Sequence, residues 1–364
     1  SEASSGSGLV KAQLGGRRIT PLGLGTGVTL AFAALVAPFA LGANDLRLAQ
    51  VVLALVVIFT SIVAITGFSG HLTLGQASIA GLGAFCSARA ANGLDLPVLV
   101  AMLVGGFVAM GAGLAAGYPA LRRKGLFLGL TTLGLALIID RFVFNARMFK
   151  GGPGGLTVER PTLFGLDLTS DRAFFFFELA VVALMLALAH NLRSGRLGRV
   201  LAAMRDSETA TQSIGINLRR AKLFVFGVSS FMAGIGGALL TQSNQNWDSA
   251  TFNPVFGLFW FTAVVVCGIS SIGGGVLAAV LYVLIPRQLN LDIQSAIGIF
   301  GLLAVFLGRL PGGLIGQPQR VAQLFRGWVN ERRQVAHAPQ PAAPPVPVPS
   351  TFAEQLLKEK AGSR

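Results

Sequence analysis

Residues 194–220, SGRLGRVLAAMRDSETATQSIGINLRR, are a polar and basic insertion between two apolar segments, 173–190 and 221–243, each of a length that suits a bilayer crossing. A membrane chain that only passes a solute through itself has little need of a structured polar insertion of this size. A membrane chain driven by a soluble engine needs one, because force must enter through a docking surface. The stretch therefore predicts an all-α, polytopic membrane bundle that carries a short helix on one of its faces.

Composition agrees with the bilayer as solvent. The 364 residues are 53% hydrophobic and 12% charged, with a mean hydropathy of +0.68, whereas soluble domains carry roughly 25% charged residues. The 47 glycines suit helices that pack closely through small side chains. A formal charge of +14 raises the question of nucleic acid, but the basic residues lie in short loops between apolar runs. That placement marks membrane orientation and gives no nucleic-acid partner. Cys86 and Cys267 both sit in apolar runs and provide no disulfide framework. His71, His190 and His337 have no ligand spacing, so neither a metal nor a cofactor is expected. No G-x-x-x-x-G-K-[ST] string occurs, so the chain is expected to be non-catalytic, with any ATP hydrolysis on another subunit. The chain opens on Ser1, and a processed, engineered or excised start is expected. Its first 16 residues are too polar for a signal-peptide apolar region.

Candidate spans are 22–42, 46–67, 72–91, 97–118, 126–144, 173–190, 221–243, 256–271, 274–286 and 293–308. The break Ser271–Gly275 leaves open whether 256–286 is two spans or one bent hairpin, so about 8–10 spans are expected by length. With both termini cytoplasmic, Arg122, Arg123, Lys124 and the basic residues of 194–220 fall on the cytoplasmic side, as positive charge prefers. Residues 1–20 then form a cytoplasmic segment, 21–316 the transmembrane domain, and 317–364 a cytoplasmic Ala/Pro-rich tail. In the tail, Pro339, Pro341, Pro344, Pro345, Pro347 and Pro349 indicate an extended spacer. Two loops, 145–172 and 244–255, face outward.

Within 194–220, Gly195 and Gly198 are expected to break the preceding helix, and Arg199–Ser213 to form one short helix. Val200, Ala203 and Met204 give it an apolar face, and Gly215 ends it. Its physics alone fits either a rod seated in the cleft of an ATPase or a helix resting at the interface.

Here the residues resemble a known family. GRVLAAMRDSETATQSIGINLRRAKLFVF is similar to the coupling segment of the LivM-type permeases, membrane subunits of bacterial branched-chain amino acid ABC importers. Gly198, Arg199, Leu201, Ala203, Arg205, Glu208, Ala210, Gly215, Ile216, Asn217, Lys222 and Leu223 match the pattern. Asp206 replaces a Glu, and Thr211 stands where alanine is usual. GFSGHLTLGQASIAGLGAF (67–85), KGLFLGLTTLGLALI (124–138) with GGPGGLT (151–157), and LPGGLIG (310–316) resemble further family motifs in the same order. The resemblance implies cytoplasmic ABC ATPase subunits acting at Gly198, Arg199, Ala203, Arg205, Asp206, Glu208, Ala210, Gly215 and Asn217. It also implies a second homologous permease, an extracytoplasmic solute-binding protein, residence in the bacterial plasma (inner) membrane, and a branched-chain or other hydrophobic amino acid as solute. Urea and short amides are carried by relatives with similar motifs.

Thr73, Gln76 and Ser78, with Thr131 and Thr132 in the fifth segment, are the candidate pathway residues. Neutral hydroxyls and amides suit a zwitterion, although the same groups also serve helix–helix hydrogen bonds. Glu178, Asp140 and Arg141 are expected as an interfacial group near the outer helix ends; a proton-coupling carboxylate, marking a secondary transporter, is the alternative. A passive channel for a small polar solute is a further rival. Phe174–Phe177 are expected to face lipid, and Trp247 to anchor at the surface or touch a delivery protein.

Overall fold

The structure, a computed structural model, describes residues 36–94, 96–120, 126–146, 156–158, 162–163, 166–167, 170–213, 215–289, 298–299, 301–304 and 313–314, with three single positions in the tail. The chain divides into two compact units, Ser1–Gly316 and Gln317–Arg364, and every element named here belongs to the first. The expected segment 1–20, Arg122–Lys124, Gly151–Gly155, the proline-rich spacer, and most of the first and last candidate spans lie outside the described residues.

The order is α1 (Ala43–Ile62, continued as a π-helical turn Val63–Phe68), α2 (Gln76–Leu94), α3 (Val98–Ala120) and α4 (Leu126–Ile138, continued as a π-helical turn Ile139–Phe144). Then follow β1 (Leu156–Thr157), β2 (Thr162–Leu163), β3 (Leu166–Asp167) and α5 (Asp171–Ser194). After these come α6 (Arg196–Asp206), α7 (Glu208–Ser213), α8 (Leu218–Asn244), β4 (Asn246–Trp247), a 3₁₀ turn (Ser249–Phe252), α9 (Pro254–Gly268) and α10 (Ile272–Gln288). The molecule is a polytopic membrane helical bundle: among the described residues five helices, α1, α3, α4, α5 and α8, are long and apolar enough to cross a bilayer. Windows of α1 and α8 are 72% and 78% buried, against 33–39% for the other three. The more buried α1 and α8 therefore form the centre, and α3, α4 and α5, whose apolar sides can face lipid, the periphery.

The centre is held by close backbone approach. A Cβ on Gly83 of α2 would stand 2.5 Å from Gly234 Cα of α8 and 3.0 Å from the Gly105 carbonyl oxygen of α3. Three helices thus meet where none carries a side chain, the arrangement small residues permit in a bilayer.

Several expectations change in detail. The span expected at 72–91 begins only at Gln76; residues 72–75 are non-helical. Pro254–Gly268 and Ile272–Gln288 are separate helices of 15 and 17 residues. Each is about 22–26 Å long at 1.5 Å per residue, short of the ~30 Å hydrocarbon core. Ser271 turns the chain between them, its Oγ accepting from Gly274 N at 3.0 Å. The two helices make a hairpin along α1, and Arg287 of α10 pairs with Asp45 at the start of α1. The all-α expectation gains four two-residue strands, β1 antiparallel to β4 and β2 to β3. The first ladder joins the two long loops at one end of the bundle.

Trp247 is no surface anchor. It is 2% exposed, donates through Nε1 to the Gly81 carbonyl at 3.1 Å, and meets Phe85 and Phe144 edge-on. Phe174 and Phe175 are also buried, leaving Phe176 as the exposed ring of that run. Helical rotation separates consecutive residues by about 100°, so four adjacent phenylalanines cannot share one lipid-facing stripe.

Gly83→Val is expected to cost about 3 kcal/mol or abolish accumulation in the membrane, because three backbones must part. Gly111→Val, whose Cβ would meet nothing within 4 Å, is expected to be neutral. Thermal denaturation in detergent compares them; equal stability of the two variants would contradict the packing account.

Candidate functional site

The segment between α5 and α8 is built from two helices, not one. Gly195 ends α5, its N–H bonded to the Asn191 carbonyl at 2.9 Å, and leads directly into α6. Gly198, expected as a second break, lies inside α6. Its small size answers a different need: a Cβ there would overlap the Arg193 carbonyl oxygen. Ser207, extended at φ −156° and ψ 110°, divides α6 from α7. Its Oγ accepts from Ala210 N at 3.3 Å, and Thr211 Oγ1 donates to its carbonyl at 2.8 Å. Gly215 then takes φ +81°, outside the range most residues accept. Asn217 caps α8, its Oδ1 accepting from Arg220 N at 3.2 Å.

α6 is amphipathic, and its two faces have different fates. Leu201 and Met204 are buried against the bundle, flanked by the half-buried Leu197 and Val200. Ala203, expected on the apolar face, stands at its edge, and Leu201 replaces it at the centre. On the opposite side Arg199, Ala202 and Asp206 are exposed, and on α7 so are Thr209, Ala210, Gln212 and Ser213.

Arg205 and Glu208 point a third way, into the chain's own helix ends. Arg205 Nη1 donates to the Gly67 carbonyl at 2.8 Å. That carbonyl belongs to the last turn of α1, where backbone acceptors lack intrahelical donors and a cation is favoured. Arg193 stacks over Phe68 at 5.5 Å. Lys222 Nζ of α8 donates to Glu208 Oε1 at 2.6 Å, and His71 Nε2 lies 3.8 Å from the same carboxylate. Ser69 Oγ spends its one hydrogen on the Ile65 carbonyl, so it accepts from His71 Nδ1 at 2.9 Å. The imidazole is thereby fixed with its proton on Nδ1 and its lone pair towards Glu208. Burial lowers the His71 pKa most, Lys222 lowers it further, and Glu208 and Ser69 offset part of this, leaving it at about 4.

The sequence did not foretell this cluster. His71 stood without ligand spacing, and Lys222 entered as a loop charge and a matched letter of the motif with no partner assigned; their meeting with Glu208 is set by tertiary packing across 137 and 14 positions of chain.

The candidate pathway residues separate. Thr73, Gln76, Ser78 and Thr132 are buried, whereas Thr131 is exposed, its hydroxyl bonded to the Phe127 carbonyl one turn back at 2.7 Å. On the peripheral α4 the two positions point about 100° apart, and only Thr132 is turned inward. Thr132 Oγ1 receives Leu74 N at 3.1 Å and so fastens the non-helical 72–75 stretch to α4. Gln76 Nε2 bridges Ser61 Oγ at 3.0 Å and the Ser229 carbonyl at 3.1 Å, tying α2 to α1 and α8, while its Oε1 is unpaired. Glu178 is fully buried and receives Ser243 Oγ of α8 at 3.3 Å. Asp140 and Arg141 face each other at 3.8 Å, and Arg141 is exposed. The expected interfacial group of all three therefore does not form.

A membrane bundle with a two-faced helix at the chain's midpoint is what the family match adds to. Residues 46–306 match the family described as "Branched-chain amino acid transport system / permease component". The chain belongs to this family. It is 28% identical over 326 residues, 82% of its length and 76% of the relative's, to the high-affinity branched-chain amino acid transport system permease protein LivM of Escherichia coli (strain K12). It is also 28% identical over 316 residues to LivM of Salmonella typhimurium, covering 80% of this chain and 74% of that one. LivH of Salmonella typhimurium is 25% identical over 221 residues, 55% of this chain and 67% of LivH. The matched span contains α2–α10 and all but the first three residues of α1.

The fold favours neutral His71, since its pKa of about 4 lies below the ordinary 6.5. Its support is complete above pH 6.5, is withdrawn as pH falls from 6.5 to 4, and changes no further below; the difference is worth about 3 kcal/mol at most. Amide exchange in residues 69–75 and 207–213, corrected for intrinsic rates, is expected to accelerate between pH 7 and 5. His71→Gln should remove that acceleration. Equal protection at both pH values in the native chain would contradict the assignment.

Proposed function

We propose that this chain is the membrane-spanning subunit of an ATP-driven importer for branched-chain amino acids, the solutes named for its LivM and LivH relatives. The observation that carries the mechanism is the pair of faces on α6. One is closed on the bundle through Leu201 and Met204, and the other leaves Arg199, Ala202 and Asp206 open. A helix so seated is held firmly from behind and offers a free surface in front, which is what a docked motor needs to transmit force. On this reading the α6–α7 end is cytoplasmic and receives an ABC ATPase subunit. Both termini are cytoplasmic, and the protein resides in the bacterial inner membrane. ATP is hydrolysed on the partner, and this subunit converts the partner's motion into helix displacement. A second homologous permease completes the pathway. A solute-binding protein delivers to the opposite end, where the β1–β4 ladder joins the two long loops.

Thr73, Gln76, Ser78 and Thr132 are the buried neutral groups available to a zwitterion on its way, and Thr131 faces the surroundings of the chain. A fixed counter-ion would hold a solute too tightly to release it, so hydroxyls and amides suit passage.

Reconstitution with the second permease, the ATPase and the binding protein tests the proposal. Uptake of labelled leucine should require ATP and all four components, and urea should not compete. Uptake by this chain alone, or uptake that collapses with an uncoupler while ATP persists, would refute it. Ala202→Trp, on the open face, is expected to reduce ATPase co-purification and uptake at least tenfold while insertion remains normal. Full uptake by that variant would show that the motor docks elsewhere.

A further inference from the structure

The outward face of α6 explains where a motor binds but not how its motion reaches the bundle. Contacts at the same end supply the missing link. Arg205 Nη1 holds the Gly67 carbonyl, and its Cγ lies 3.3 Å from where a Cβ on Gly70 would stand. Glu208 holds Lys222 in the first turns of α8 and faces His71 in the 69–75 connection. Arg193 covers Phe68. Finally, Gly67 lies against the tip of the α9–α10 hairpin so closely that a Cβ there would overlap the Ile269 carbonyl oxygen. Gly67 is thus gripped from two sides, by the Arg205 guanidinium and by the hairpin tip.

The backbone at this point is built to yield. The six residues that continue α1, Val63–Phe68, are wound as a π-helix, a rare form frequent at functional sites. Gly70 follows with φ +74°, and the chain then runs non-helical to Gln76. By contrast α8, the other target, is continuous from Leu218 to Asn244.

We infer that Arg205, Glu208 and Lys222 form a transmission joint that carries movement of α6–α7 into the yielding end of α1 at Gly67, and through it to the α9–α10 tip, with rigid α8 as the fulcrum. The inference rests on the docking of an ATPase to the open face of α6. Arg205, exposed but with its guanidinium on the Gly67 carbonyl, and the half-buried Glu208 are then positioning residues of the permease, their charged groups engaged within the chain. The ion pair makes α7 and α8 move as one, and Arg205 draws the α1 end with them. Solute passage is linked to ATP hydrolysis only while both links hold.

The complete transporter, with its ATPase, second permease and binding protein in proteoliposomes, is measured for three quantities: ATPase subunits retained, ATP hydrolysed, and solute moved per ATP. Lys222→Met is expected to retain the ATPase and hydrolyse ATP while solute moved per ATP falls at least tenfold. The double variant Glu208→Gln with Lys222→Met removes both charges and so leaves no unpaired carboxylate; it should regain any lost membrane yield but keep the low ratio. A ratio within twofold of the native complex in either variant that retains the ATPase overturns the joint and leaves the docking reading intact. Recovery of both yield and ratio in the double variant reduces the pair to packing and likewise overturns it. Failure of the native complex to retain an ATPase subunit at all overturns the docking reading, and the joint with it.

Discussion

Backbone-to-backbone approach at glycine is the constraint on which this bundle depends. In a bilayer, lipid competes equally for apolar side chains, so burying leucine drives helix association weakly; close contact and shape must do it instead. Gly83, Gly105 and Gly234 let α2, α3 and α8 touch where no side chain intervenes. The same device recurs between Gly237 of α8 and the Ala80 carbonyl of α2. With α8 locked against α2 and α3, α1 is enclosed, and the peripheral helices take positions around a fixed centre.

Rigidity at that centre makes the yielding parts conspicuous. α1 ends in a π-helical turn, a left-handed glycine and a non-helical connection, all at the end that α6 and α7 cover. The polar groups there are not spare surface charge. Arg205 satisfies a terminal carbonyl, Lys222 neutralises Glu208, and Ser69 orients His71. Lys222 and His71 are buried and each would be costly there alone, while the exposed Arg205 and half-buried Glu208 reach in to fix the geometry. The segment between α5 and α8 is therefore part of the packed structure on one side and free on the other.

The fold class and the main helices were legible in the sequence because bilayer crossing imposes length and apolarity on each helix separately. α1, α3, α4, α5 and α8 begin and end within a few residues of the stretches read from hydropathy. The readings that failed needed the direction of a side chain, although the apolar face read at Val200 and Met204 held. Thr131 and Thr132 look alike in sequence, yet one faces out and the other fastens Leu74. Trp247 looked like an anchor because aromatic residues gather at interfaces, but a hydrogen bond to Gly81 and two edge-on rings hold it inside. The His71–Glu208–Lys222 meeting was illegible for a stricter reason: it joins three elements whose proximity only the assembled bundle creates.

The same limit explains how a single matching motif divides into separate tasks. Residues 198–217 read as one coupling unit, because a string of matched letters has no inside or outside. Helical rotation sorts them. Gly198 admits the Arg193 carbonyl, Leu201 and Met204 seat the helix, and Asn217 starts α8. Arg205 and Glu208 clamp neighbouring helix ends, and Arg199, Asp206 and Ala210 remain open. A substitution that silences transport therefore has a different meaning on each face. On the proposed reading it removes a partner at the open face, loosens the helix at the seated face, and at the clamp disconnects a motor that is still attached and still running. Activity alone cannot tell these apart, whereas partner retention and solute moved per ATP separate them, because each face fails at a different step between binding and displacement.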